Sequence, residues 1–166
     1  MDYEKFIRFK PGSSIGDISP LLADEKVFSK AVDDLIKPFK NKKIDKIVGV
    51  EARGFIFAGA IAYRLKKGLV LIRKGKKLPL EVSFRTFVDY SGKTKRLEIH
   101  QDAIKPGEKC LIVDDWLETG SQAKAAIELV EELQGKVIGL TFLVNTPNEK
   151  AKKLLSEYDY HYLIEV

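Results

Sequence analysis

The chain is 166 residues long, 45% hydrophobic and 32% charged, with a net charge of +5 carried mostly by lysine. That length suits one domain able to bury roughly two-thirds of its unfolded surface. The single cysteine, Cys110, excludes an internal disulfide framework and fits a reducing cytoplasm, and no apolar run approaches the ~20 residues of a membrane span.

The N-terminus, MDYEKFIRFK, is charged and lacks the apolar centre of a secretion signal. Helical spacing first appears over Val27 to Phe39, in Val27, Phe28, Ala31, Leu35 and Ile36, with Asp24 as its expected cap. Lys37, Lys40, Lys42 and Lys43 gather at its far end, where the helix dipole favours solvated cations. Ile44 to Val50 reads as a strand, Gly54 to Lys66 as a helix and Leu69 to Arg73 as a second strand. The basic run Arg73-Lys74-Gly75-Lys76-Lys77 follows that strand directly, where α/β sheets expose their ligand crevice. It lacks the aromatic–basic interleaving of an RNA module, so nucleic acid is not the expected partner.

Leu78 to His100 breaks the rhythm. It has no clear helical period and carries a turn at Ser91-Gly92-Lys93 between two partly alternating runs. We read it as a mobile β-hairpin lid, a device that keeps water from a reactive intermediate. Cys110 to Val113 is a third strand with Cys110 as a buried, inert thiol. A helix follows over Gln122 to Gln134, with Ala123, Ala126, Ile127, Val130 and Leu133 on one face. Val137 to Val144 is a fourth strand, Glu149 to Leu155 a short helix and Tyr160 to Ile164 a last strand. Strands alternating with helices imply an α/β fold, a mainly parallel sheet covered on both faces. The whole chain, 1–166, reads as one domain with 78–100 as its lid.

The most informative stretch is CLIVDDWLETGSQAKAA, Cys110 to Ala126. An apolar strand runs into Asp114 and Asp115, then a small-residue turn opens a helix. Such carboxylates accept hydrogen bonds from sugar hydroxyls, and loop amides at a positive helix end receive phosphate. Thr119 to Gln122 also fits a plain capping box, which requires no ligand.

The spacing resembles the signature of type I phosphoribosyltransferases for 5-phosphoribosyl-1-pyrophosphate (PRPP). Four further segments, in register over nearly the whole chain, resemble the adenine-specific branch of that family: GDISPLL (Gly16 to Leu22), GVEARGFIFAGAIA (Gly49 to Ala62), VLIRKGKKLP (Val70 to Pro79) and LEIHQDAIKPGEKCLIVDD (Leu97 to Asp115). The resemblance implies transfer of the 5-phosphoribosyl group from PRPP to adenine, giving AMP and pyrophosphate in purine salvage. It implies a cytoplasmic homodimer that uses Mg²⁺ bound through PRPP rather than by protein side chains. Asp114 and Asp115 would hold the ribose hydroxyls, and Glu118, Thr119, Gly120, Ser121 and Gln122 would surround the 5′-phosphate. Arg53, Arg73, Lys74 and Lys77 would bind pyrophosphate, with Arg73 or Lys77 reaching a neighbour's site. Ser14, Ile15 and Gly16 would face the base, and Asp89, beside Tyr90, would join Arg53 in catalysis. The turn at Glu51-Ala52-Arg53 would present its N–H groups to phosphate through a non-proline cis peptide.

This chain departs from the pattern at several places. Glu118 stands where a small residue is usual, Gln122 where a hydroxyl is usual, and Ile15 where an aromatic is usual. Either Glu118 turns away and pairs with a lysine or water, or its carboxylate fills the anion site of the empty protein. Three other readings stay open: transfer to another nucleobase, a non-catalytic PRPP- or nucleotide-binding regulator, and a plain α/β protein with a structural acid pair.

Overall fold

In the computed structural model, which describes residues 1–10, 16–89, 91–146 and 148–166, seven strands form one sheet. They are β1 (Lys46–Val50), β2 (Gly68–Lys74), β3 (Val82–Val88), β4 (Thr94–His100), β5 (Lys109–Leu117), β6 (Lys136–Asn145) and β7 (Tyr160–Glu165). Their order is β3-β4-β2-β1-β5-β6-β7, with β2, β1, β5, β6 and β7 mutually parallel. The helices are α1 (Ser19–Ala23), α2 (Glu25–Ile36), α3 (Gly54–Leu65), α4 (Ser121–Glu132) and α5 (Glu149–Leu154). One apolar core joins α2 and α3 to one face of the sheet, and a second joins α4 and α5 to the other. The α/β architecture expected from the sequence is the one observed.

Local chemistry explains most element ends. Asp24 caps α2, its Oδ1 accepting the Lys26 and Val27 N–H groups, both at 3.0 Å. The α2 pattern extends to Phe39, but Pro38 lacks an N–H and the last turn tightens to 3-10 form at Lys37–Phe39. Asn148 caps α5 in the same way. The lysines past α2 are solvated as expected, and Lys42 pairs with Asp159 at 2.6 Å. Cys110 is fully buried, and burial pushes its thiol up to about 12, so it is inert at neutral pH. No helix among the described residues is long and apolar enough to cross a membrane.

Two features position the site. Strand β5 does not stop at Val113 as its sequence pattern implies. It continues through Leu117, because Asp114, Trp116 and Leu117 stay paired with Phe142, Val144 and Asn145 of β6. Its pairing with β1 ends at Gly49 and Val113, so from Asp114 onward the β1 side of β5 is open. A crevice therefore lies between β1 and β5, where the strand order reverses in the sheet, at the carboxyl ends of the strands.

The segment 78–100 is an antiparallel hairpin, β3 with β4, from Val82 opposite His100 to Val88 opposite Thr94. Its root is built into the sheet. β4 pairs with β2 at Arg73–Glu98 and Lys74–Leu97, and Leu97 and Ile99 are fully buried. Arg85 on β3 reaches Glu132 of α4 at 2.5 Å. What overhangs the crevice is the β3 end, with Phe87 and Asp89 in the cavity wall.

Candidate active site

A cavity of about 290 Å³ opens at this crevice. Its walls come from the turn after β1, the end of β2, the outrunning end of β5, the loop into α4 and the hairpin tip. Asp114 and Asp115 sit together at its floor, 3% and 8% exposed. Two buried acids side by side need compensation, and each has its own partner. Asp114 Oδ2 accepts the Gln122 side-chain amide at 2.7 Å, and its Oδ1 accepts the Asp115 N–H at 2.8 Å. Burial first, then the Asp115 charge, push the Asp114 carboxyl well up, while the Asp115 N–H and the Gln122 amide act against them. Asp115 Oδ2 lies 2.5 Å from Arg53 Nη2, an ion pair without the alignment of a hydrogen bond, so this buried oxygen lacks a hydrogen-bond donor. A ligand hydroxyl at that point would supply one.

Glycine permits the close packing around the pair. A Cβ on Gly54, at the start of α3, would stand 2.8 Å from Asp114 Oδ1 and 3.0 Å from the Val113 carbonyl. A Cβ on Gly120, at φ 75°, would stand 2.8 Å from the Ala151 Cα.

Most of the turn expected to surround a phosphate borders the cavity. Glu118, Thr119, Gly120 and Gln122 line the cavity, while Ser121 does not. The capping box is not formed: Gly120 is the cap of α4 and no side chain bonds the first helical amides through it. The Ser121 N–H has only a long 3.4 Å contact to the Thr119 hydroxyl. Among the described residues no side chain caps the α4 N-terminus, and uncapped helix N–H groups attract anions. Gln122, expected among the phosphate contacts, instead turns its amide onto Asp114.

Replacing Gln122 by leucine keeps its bulk and removes that donor. We expect a loss of about 1–3 kcal/mol, the cost of an unsatisfied buried acceptor. The sign with pH follows from Asp114, whose folded-state affinity for a proton would rise further above the ordinary aspartate value of 3.8. The deficit is small below that value and grows as the pH rises through the folded-state range, because the unpaired site must then hold a charge. Denaturant unfolding of both forms at pH 5 and pH 8 measures it.

The pyrophosphate candidates divide into two groups. Lys74 and Arg53 line the cavity, and the Lys74 side chain has no ion pair among the described residues. Arg73 and Lys77 are held by Glu51, with Arg73 Nε at 3.3 Å and the Lys77 ammonium in direct contact. The Lys74 N–H also donates to Glu51, at 2.8 Å. Burial acts to raise the Glu51 carboxyl, but Lys77, the Lys74 N–H and Arg73 outweigh it and hold it below the usual range. Arg73 and Lys77 thus each contact Glu51 of their own chain. The Glu51–Ala52 peptide bond is cis, as expected, and Ala52 lines the cavity.

At the far end Arg53 donates from Nη1 to the Gly16 carbonyl at 2.8 Å and lies 5.8 Å from the Trp116 ring centroid. Gly16 itself does not line the cavity; it packs on the Phe9 ring, which a Cβ there would approach to 3.2 Å. Phe9 meets Trp116 edge-on at 6.1 Å. Ser14, Ile15 and Tyr90, named above from the sequence, lie outside the described residues.

Glu118 forms no hydrogen bond or ion pair among the described residues. The expected lysine pairing is not seen, nor does its carboxylate cap α4. Burial, then the charge of Asp89, push its carboxyl up. Asp89 is placed in the cavity wall as expected, with its carboxylate engaged by its own hairpin turn.

Three residues of this site were not singled out by sequence reasoning. Glu51 was read only as part of a turn; the pairing of Val50 with Ile72 is what sets it beside Arg73. Trp116 lines the cavity and Phe9 meets it edge-on, and their separation in sequence gives no signal of the contact.

A phosphoribosyl transferase domain model matches residues 20–164. The chain is 47% identical over 148 residues to adenine phosphoribosyltransferase of Dinoroseobacter shibae, covering 89% of this chain and 82% of that protein. Among solved structures, adenine phosphoribosyltransferase from Thermoanaerobacter pseudethanolicus superposes with a TM-score of 0.92 at 38% identity, over 99% of this chain and 98% of the other. The Saccharomyces cerevisiae enzyme, solved with adenine and an imino-altritol bisphosphate, gives 0.87 at 32% identity, over 97% of this chain and 96% of that one.

Proposed function

The chain belongs to the phosphoribosyl transferase domain family, and from that premise we propose that the cavity transfers the 5-phosphoribosyl group from PRPP to adenine, giving AMP and pyrophosphate in purine salvage. The similarity to adenine-specific enzymes over most of the chain supports the base and the reaction. The observation that carries the reading is the acid pair. Asp114 and Asp115 are buried at the floor of a cavity that also contains an open helix N-terminus and the Lys74 side chain.

The residues then divide the substrate among them. Asp115 Oδ2 and the Asp114 carboxylate accept from the ribose hydroxyls. The Thr119–Gly120 turn and the first N–H groups of α4 receive the 5′-phosphate. Lys74, Arg53 and the Glu51-Ala52 turn face the pyrophosphate, where negative charge builds as the C1′–O bond breaks. Trp116, which Phe9 meets edge-on, offers an aromatic wall for the base. Glu51, Asp89, Asp114, Asp115 and Glu118 outnumber the cations Arg53 and Lys74 in the cavity wall, so a bare polyphosphate meets an acidic surface. Mg²⁺ carried on PRPP would offset that charge and would supply electrostatic stabilisation of the departing pyrophosphate. In this reading the ion would arrive on PRPP and take its ligands largely from the substrate.

A panel assay tests the reading. With PRPP and Mg²⁺, pyrophosphate release is expected with adenine and at least tenfold more slowly with hypoxanthine, guanine or xanthine. Fastest release with another base reassigns the substrate, and tight PRPP binding with no release makes the protein a sensor.

The assembly is expected to be a homodimer. Ile56 and Tyr63 on α3 and Leu69 and Leu71 on β2 are large apolar or aromatic side chains left 39–89% exposed, the kind of surface a partner covers. A second copy of the chain is the occupant we assign to it. Sedimentation should give twice the 18.7 kDa chain mass, and Tyr63→Glu with Leu71→Glu should give monomer. A wild-type chain that sediments as monomer at micromolar concentration contradicts this. The single buried cysteine supports a reducing, cytoplasmic setting.

A further inference from the structure

A purine ring nitrogen that attacks C1′ must lose its proton. Asp89, the acid expected from the sequence to assist, is committed to its own turn. Its Oδ1 accepts the Ser91 hydroxyl at 2.7 Å, the Ser91 N–H at 2.9 Å and the Lys93 N–H at 3.1 Å, and Oδ2 lies 3.8 Å from Lys95. The Ser91 hydroxyl, with these N–H groups, holds the Asp89 carboxyl below its usual range. Such a carboxylate staples the hairpin tip and is a poor proton acceptor.

Glu118 has the opposite character. It lines the same cavity from the segment that joins the acid pair to α4. The other carboxylates of the wall are engaged: Glu51 by Lys77 and Arg73, Asp89 by its turn, Asp114 by Gln122 and Asp115 by Arg53. Only Glu118 has both oxygens free of hydrogen bonds and ion pairs among the described residues. Asp89 from the hairpin, Asp114 and Asp115 from β5, Lys74 from β2, and Glu51 and Arg53 from the turn after β1 are the charged groups sharing its cavity.

We propose that Glu118 is the catalytic base of the transfer and that Asp89 is a positioning residue for it. This assignment rests on the function proposed above. As the ring N–C1′ bond forms, the C1′–O bond to pyrophosphate breaks and its electron pair leaves with pyrophosphate. The proton of the attacking nitrogen passes to the Glu118 carboxylate and then to water after product release. In the reverse direction Glu118 returns a proton to the same nitrogen. Burial and the facing Asp89 charge raise its proton affinity toward the working pH, which suits a base.

Single-turnover AMP formation, with PRPP, Mg²⁺ and adenine saturating and the pH varied, tests this without interference from product release. Glu118→Gln is expected to slow transfer by about hundredfold, to leave PRPP affinity within about threefold, and to remove the acidic limb of the rate profile. Glu118→Asp should recover part of the rate and restore the limb. Asp89→Asn should keep the rate within about fivefold and move the limb to lower pH, because it removes the charge that raises Glu118. The assignment is overturned if Glu118→Gln transfers within about threefold of wild type, if its acidic limb persists, or if Asp89→Asn is the slower variant. A mainly weakened PRPP affinity in Glu118→Gln also overturns it and makes Glu118 a substrate contact. A wild-type chain that makes no nucleotide from any base defeats the proposed function itself, a result visible before any variant is compared.

Discussion

Arg53→Ala should cost about 3–4 kcal/mol in PRPP binding or transfer, roughly a few hundred- to a thousandfold. Arg53 has three attachments: the Asp115 carboxylate at 2.5 Å, the Gly16 carbonyl at 2.8 Å and the Trp116 face. Removing it takes a cation from the pyrophosphate end and leaves Asp115, whose side chain is 11% exposed, as an uncompensated buried charge. The second effect also reaches the fold, so a lower unfolding midpoint should accompany the lost affinity. Arg53→Lys should rescue little, since an ammonium cannot serve carboxylate, carbonyl and ring from one planar fork. In the Asp115→Asn background, Arg53→Ala should cost clearly less than in wild type, because the stranded charge is then absent. Isothermal titration with PRPP·Mg²⁺ across this cycle reads the coupling; strict additivity would mean that the two residues act independently.

Asp114→Asn and Asp115→Asn should each weaken PRPP binding or transfer by roughly 1.5–3 kcal/mol, about ten- to hundredfold. Both substitutions keep size and remove charge. At Asp115 the loss falls on an oxygen that has no donor until a hydroxyl arrives. At Asp114 both oxygens are already engaged, by Gln122 and by the Asp115 N–H. An asparagine there must turn an amide toward one of two donors. Asp114→Asn should therefore lower stability as well as affinity, whereas Asp115→Asn should act mainly on affinity. PRPP titration with thermal unfolding separates the two, and unchanged binding in both variants would remove the ribose assignment.

Much of this was legible in the sequence because local chemistry decided it. The α2 and α4 stripes, the Asp24 cap and the apolar strands obey simple periodicities. The acid pair was legible as a site because two carboxylates after an apolar strand have no structural use that a neutral pair would not serve better. The end of β5 was not, since acids inside a strand look like its termination; pairing with Phe142 and Val144 on β6 keeps Asp114 and Trp116 extended. α1 escaped because five residues containing Pro20 show no period. The roles of Gln122 and Glu51 depended on contacts that cross elements, Gln122 to Asp114 and Glu51 to Arg73, which no local pattern encodes. The commitment of Asp89 was available in principle. Asp89, Ser91 and Gly92 stand at turn spacing, and a short acid there commonly bonds its own backbone.

The most direct test of the account supplies labelled adenine, PRPP and Mg²⁺ to the wild-type chain and to the Asp114→Asn/Asp115→Asn double variant side by side, and counts labelled AMP. The account predicts rapid AMP formation by the wild type and a loss of at least about hundredfold in the double variant. No AMP from the wild type, or equal rates from the two proteins, would contradict it.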